Sequence, residues 1–183
     1  MPTDEAVLAV TRRWLERAVI GLNLCPFARA VHSKGQVHFA VSAADSAALV
    51  LDNLAIELDA LVASNPLERD TTLLVVPRCL ALFLDFNGLV ASGERTIRQK
   101  GLEGTIQLAS FHPDYCFFGA NDDDVANCSN RSPYPILHLL REASIDKAVR
   151  AFPDAESIYG ANIDTLRRLG AAGWAALDVG PIR

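Results

Sequence analysis

No run in this 183-residue chain reaches the roughly 20 uninterrupted apolar residues that a membrane-spanning helix needs. The opening stretch, MPTDEAVLAVTRRWLERAVIGL, has no basic leader ahead of its apolar residues, and Arg12, Arg13, Glu16 and Arg17 interrupt them, so neither an export signal nor a membrane partner is expected. Basic charge is scarce as well. With a net charge of −5 and a pI near 5.3, and with Arg12/Arg13 and Arg167/Arg168 as isolated pairs, the surface would repel a phosphate backbone, which argues against nucleic acid as a partner. The four cysteines, Cys25, Cys79, Cys116 and Cys128, form no Cys-x-x-Cys pair and point to free thiols in a reducing cytoplasm. Linkers, internal repeats and low-complexity tracts are absent, so residues 1–183 read as a single domain.

What is present is a globular balance, half apolar and about a fifth charged, in a chain long enough to bury roughly 70% of its unfolded surface. Thr3 is placed to cap a first helix, with Asp4 and Glu5 in its first turn and Val7, Val10, Trp14 and Ala18 at helical spacing. Pro26 is expected to end it. Residues 36–42 alternate as a strand. Ala47, Val50, Leu54, Leu58 and Leu61 mark a second helix that stops near Asn65-Pro66. The run TTLLVVP at 71–77 lacks polar alternation and reads as a strand buried on both faces, as in the middle of a parallel sheet. A helical but uneven stretch from Arg78 to Lys100, with Gly88 and Gly93 in it, leads to a third strand at 104–111. Tyr134 to Arg141 is expected to be helical, Ser144 to cap another short helix, and Ala155, Ile158, Asn162, Leu166 and Leu169 to outline a last one closed by Gly170. Strands alternating with helices at this spacing predict an α/β fold, one layered domain with a small, largely parallel sheet and flanking helices.

Residues 111–142 concentrate the chemistry, with two of the four histidines, two of the four cysteines and four aspartates between apolar flanks. Such a segment is a poor core element and a natural binding or catalytic loop. His112 follows directly on the third strand, at the sheet edge where ligands of α/β folds collect. On the expected helix His138 and Glu142 share a face. With His112 they would make two imidazoles and a carboxylate, a set that suits Zn²⁺ or non-haem Fe²⁺, or general acid/base work. The order His112-x3-Cys116-x11-Cys128-x9-His138 offers a second metal reading, without the tight knuckles of structural zinc. Asp122, Asp123 and Asp124 lack the alternation of a calcium loop and read as a solvated acidic turn. Asn127, Asn130 and Arg131 could form a fork for a carboxylate or phosphate, or stitch the loop's own backbone. Cys25, where the first helix is expected to end, could be a nucleophile only with a histidine or Arg131 brought to it, and is otherwise a small buried hydrophobe.

The blocks LERAVIGLNLCPFARAV, TTLLVVP, IQLASFHPDYCFFG, NRSPYPILHLLREASIDKAV and NIDTLRRLG resemble a bacterial family known as a domain of unknown function, numbered fourteen-fifteen, from the first helix to about Gly170. Cys25, His112, Pro113, Asn130, Arg131, Tyr134, His138, Arg141 and Glu142 match the family pattern, which adds Tyr134 to the candidate substrate-binding residues, while Cys116, Cys128, His38 and the GERTIRQKG stretch depart from it. The resemblance implies a bacterial, single-domain, cytoplasmic protein, and assigns no substrate or cofactor. Three functions therefore stay open. One is an enzyme acting on a small anionic or peptide-like substrate through a His112/His138/Glu142 metal or acid/base site. The second is a hydrolase with Cys25 as nucleophile. The third is a non-catalytic ligand-binding or regulatory module that uses the polar segment as its ligand loop.

Overall fold

The computed structural model describes residues 2–151 and 157–180 of the protein. Helix α1 (Asp4–Trp14) starts as expected, with the Thr3 hydroxyl accepting the Ala6 N–H and Asp4 and Glu5 in the first turn. It runs without a break into a π-helical turn, Leu15–Ile20, and ends there, well ahead of Pro26. The chain leaves through Asn23 at φ 56°, a left-handed conformation that asparagine tolerates better than most residues. Helix α2 (Ala28–Ser33) follows.

Strands β1 (Val37–Val41), β2 (Thr71–Val75), β3 (Ile106–Phe111) and β4 (Ile136–Arg141) form one sheet in the order β1-β2-β4-β3. Helix α3 (Ala47–Ala63) carries the crossover between β1 and β2, which pair in parallel. Every residue of β2 is buried, as its unbroken apolar run requires. β4 then inserts antiparallel between β2 and β3, so only one of the three adjacent pairs is parallel and the sheet is mixed, not largely parallel.

The cause of that correction is the segment expected to be a helix from Tyr134 to Arg141. Ile136, Leu137, Leu139 and Leu140 satisfy helical spacing, but a short apolar run buried on both faces fits a strand equally, and periodicity alone cannot separate the two. Pro133 and Pro135, which bias their predecessors toward extended backbone, were the signal for a strand. His138 and Glu142 consequently do not share a helix face. His138 is in mid-strand, and Glu142 opens helix α5 (Glu142–Ala151).

Helices α3 and α4 (Phe83–Gln99) cover one face of the sheet, packing Leu54, Leu58, Phe86 and Ile97 against Leu74, Leu137 and Leu139. α4 is continuous through its glycines. A Cβ at Gly93 would lie 2.9 Å from Leu108 Cδ2 and 3.0 Å from Leu54 Cδ2, so the bare backbone is what lets the helix approach sheet and neighbour. The opposite face takes α1 and the π turn, with Val7, Val10, Trp14 and Val19 against Leu73, Val75 and Ile136. Helix α6 (Ser157–Ala176) is kinked where Gly170 adopts φ 67°, the break expected there, and brings Leu166 against Leu24 and Cys128. Ala155, expected in the same helix, lies outside the described residues. Ser144 is not a cap; it sits inside α5 and donates to Asp70 at 2.6 Å. Arg141 ends β4 and caps α3 instead, its Nη2 donating to the carbonyls of Leu61 (2.6 Å) and Ser64 (2.9 Å). Among the described residues no helix is long and apolar enough to cross a membrane.

Candidate functional site

The loop from His112 to Pro135 joins β3 to β4, and His112, Asn127 and Ser132 turn their polar side chains inward. Phe111 points to the α1 face, so His112, one residue on, points to the α4 face, where its ring lies between Phe83 and Phe86 at centroid distances of 5.4 and 5.2 Å. The Asp114 N–H can only donate, so Nδ1 accepts it (3.0 Å) and the proton sits on Nε2, which donates to the Leu80 carbonyl at 3.0 Å. Both ring nitrogens are thereby engaged. Burial holds the imidazole below its ordinary pKa and keeps it neutral. Leu80 itself adopts φ 62°, unusual for a branched residue, at the point where it meets the ring.

The rest of the loop is stitched in the same way. Asp124 caps a short 3-10 helix, Val125–Ser129, by accepting the Ala126 N–H. Asn127 is fully buried, accepting from Phe117 N–H at 3.1 Å and donating to the Asn121 carbonyl at 2.8 Å. Asn130 accepts from the Ser129 hydroxyl, and its carbonyl takes the His112 N–H. The Arg131 guanidinium donates Nε to the Tyr115 carbonyl (3.1 Å) and Nη2 to that of Asp122 (2.6 Å), so its Nε/Nη2 edge is turned onto the backbone. Tyr134 is buried against the α1 face and its hydroxyl has no hydrogen-bond partner among the described residues.

His138 stands on the other side of the sheet from His112, in register with Leu73 and Ala109 and 6.0 Å from the Phe111 ring. The Thr71 hydroxyl gives its one proton to the Leu139 carbonyl (2.6 Å), so the 2.7 Å contact between Thr71 and His138 runs from Nε2–H to the hydroxyl oxygen. Nδ1 makes no hydrogen bond among the described residues. Burial lowers the pKa of this ring to about 4. Glu142 is elsewhere again, lining a recess at the β3–α4 edge with Glu94, Arg98 and Glu103. The expected convergence of His112, His138 and Glu142 therefore does not occur, because β4 turns His138 to the α1 face while His112, after β3, faces α4. Nor do Cys116 and Cys128 complete a Cys2His2 set, since the two histidines it needs face opposite sides of the sheet. Among the described residues no three His, Cys, Asp or Glu side chains stand close enough together to hold a metal ion.

Cys25 lies between the π turn and α2, and not at a helix end. Burial pushes its thiol pKa up, while the N–H groups of Phe27 and Ala28 pull it part of the way back. Among the described residues no histidine is hydrogen-bonded to it. Two anchors escaped the sequence reading. Trp14 donates its indole N–H to the Arg131 carbonyl at 2.8 Å, and Thr71 fixes the tautomer of His138. A buried tryptophan on the first helix implied some acceptor, but nothing local named which one.

Fold and loop together define a small α/β domain with a mixed four-stranded sheet and a long inter-strand loop braced by its own polar side chains. The chain belongs to the family described as Protein of unknown function (DUF1415), whose model matches residues 6–176. No curated protein and no solved structure matches it.

Proposed function

We propose that this protein is a non-catalytic binding or regulatory domain, and that the outer rim of the loop between β3 and β4 is its ligand surface. The observation that carries this reading is the inward use of the loop's polar groups. Both ring nitrogens of His112, the amide of Asn127 and the Nε and Nη2 of Arg131 bond to the protein's own backbone. A general acid or base needs a lone pair or proton aimed at substrate, and His112 has neither left. What the rim offers solvent is Phe118, wholly exposed in the turn closed by Ala120 N–H on the Phe117 carbonyl, with exposed Asp122 and Asp123 close behind in sequence. A bare phenylalanine at a turn tip forgoes about 1.5–3 kcal/mol of burial, an arrangement suited to recognition. Four free thiols support a reducing, cytoplasmic setting.

Thermal shift of the wild-type protein against divalent cations, carboxylates and phosphates tests the reading. No saturable stabilisation by any of them is expected, and a one-equivalent response to Zn²⁺ or Fe²⁺ would overturn it. A second reading rests on His138 alone, whose neutral ring has no partner for Nδ1 among the described residues and leaves it able to accept a proton. Acylation of that nitrogen by diethyl pyrocarbonate at pH 6, faster than at His112, would favour it.

A further inference from the structure

β1 is an edge strand, and its sequence, Val-His-Phe-Ala-Val, carries neither the lysine nor the proline by which edge strands usually resist pairing. The parallel ladder to β2 uses the even residues, as the bond from Ser42 N–H to the Val75 carbonyl (2.8 Å) shows. The N–H and C=O groups of Phe39 and Val41 therefore point away from the sheet, and they make no hydrogen bond among the described residues. Beside this edge, between β1 and α3, opens a cavity of about 240 Å³ lined by Ala40, Ser42, Ala43, Asn53, Ile56 and Glu57. Its strand wall combines the small Ala40, Ser42 and Ala43 with Val41 and Leu74, its helix wall carries Ile56 at 62% exposure, and among the described residues Asn53 uses only one end of its amide, on Ser42.

We propose that the β1 edge and this cavity form a docking groove for an extended segment of a partner protein, which adds as a fifth strand and inserts an apolar side chain between β1 and α3. An unpaired backbone row selects extended chain, and a preformed recess beside it selects the side chain, the two elements of strand-addition recognition. This goes beyond the loop reading and stands apart from it, being on a different edge of the molecule. The charge of the groove narrows the partner. α3 holds Asp52, Glu57 and Asp59 and no basic residue; Glu57 is paired with Arg69 and Asp59 with Lys100, while Asp52 is exposed and one helical turn before Ile56 on the same stripe. The inserted residue should accordingly be flanked by Lys or Arg. A second copy of this chain fits poorly, since the residues its β1 would bring to this side are His38, Ala40 and Ser42, none of which fills the cavity, and pairing would bring two acidic helices together.

The probe is the peptide acetyl-Lys-Val-Leu-Val-Lys-amide, with its central Leu changed to Asp and its Lys changed to Glu as controls, titrated into the full chain and followed by amide NMR. Shifts centred on Phe39, Val41 and Ile56 are expected, with each control weakening binding by about tenfold or more. Ala43→Trp, at an exposed position on the rim, should block the cavity and weaken the leucine peptide about tenfold at unchanged Tm. Val41→Pro removes the outward N–H along with part of the side chain's packing on the α1 face and should weaken the peptide likewise; if that variant misfolds, Ala43→Trp decides. No shift at β1 up to about 1 mM peptide overturns the groove, as does concentration-dependent dimerisation that protects β1. Shifts confined to residues 115–123 overturn the groove while supporting the loop as ligand surface, and binding at β1 together with a silent loop supports the groove and leaves the loop reading standing.

Discussion

The indole N–H of Trp14 reaches the carbonyl of Arg131 at 2.8 Å and so ties the first helix to a loop 117 residues away. The same ring packs edge-on against Phe111 at 5.1 Å, which makes Trp14 the point where α1, the end of β3 and the loop meet. Trp14→Phe keeps the apolar contact and removes the hydrogen bond, leaving a carbonyl without its partner. A loss of about 1–3 kcal/mol is expected in urea denaturation, with early amide exchange in residues 112–131. Unchanged exchange there would mean that the loop is held by its internal bonds alone.

Arg131 gives a parallel test of loop bracing against anion binding. Arg131→Lys cannot reach the Tyr115 and Asp122 carbonyls with one rigid fork, so it should cost about 1–3 kcal/mol, without any anion restoring it. A variant as stable as wild type, with lost stabilisation by phosphate or carboxylate, would return the segment to the anion-binding reading.

Much of the fold was written in local pattern. The Thr3 cap, the fully buried run at 71–75, the helix from Ala47 and the left-handed Gly170 follow from residue types at short spacing. What was not legible has a common physical origin. Leu137 and Leu139 face one helix layer and Ile136 the other, so β4 has no alternation to separate it from a helix, and reading it as one carried His138 to the wrong partner and hid the antiparallel insertion. The loop's polar content was visible, but its direction was not. Whether Asn127 or Arg131 faces a ligand or a carbonyl depends on backbone atoms, and every residue type carries those alike. The groove at β1 was invisible for a related reason: an unpaired edge is a property of strand order.

Cys25 separates the nucleophile reading from burial. Its thiol is held above the ordinary range chiefly by burial, and the two N–H groups beside it only partly offset that. Alkylation at neutral pH should be slow and should rise only as the pH passes well above about 8.5. Mass-resolved labelling reads this site by site. Fast labelling of Cys25, with a rate that levels off below pH ~7.5, would restore it as a nucleophile.

The titration of His138 makes a prediction whose sign is fixed by burial. In the unfolded chain the ring titrates near 6.5, and in the folded protein near 4, so between these values the unfolded state binds the proton that the folded state refuses. Stability is therefore fully present above pH 6.5 and is lost as the pH falls through the window toward 4. At about 1.4 kcal/mol per unit the bound is roughly 3 kcal/mol, and the ring's partial exposure reduces it to on the order of 2 kcal/mol. His112, shifted in the same direction for the same reason, adds to the slope. His138→Gln isolates the contribution, because a glutamine amide can still donate to the Thr71 hydroxyl but cannot take up a proton. Urea denaturation from pH 4.5 to 7.5 should show the variant's stability depending on pH less steeply than the wild type's, with the two curves diverging toward neutral pH. Parallel curves would mean that the ring is protonated in the folded protein, and with it that Nδ1 faces water freely enough to carry a charge.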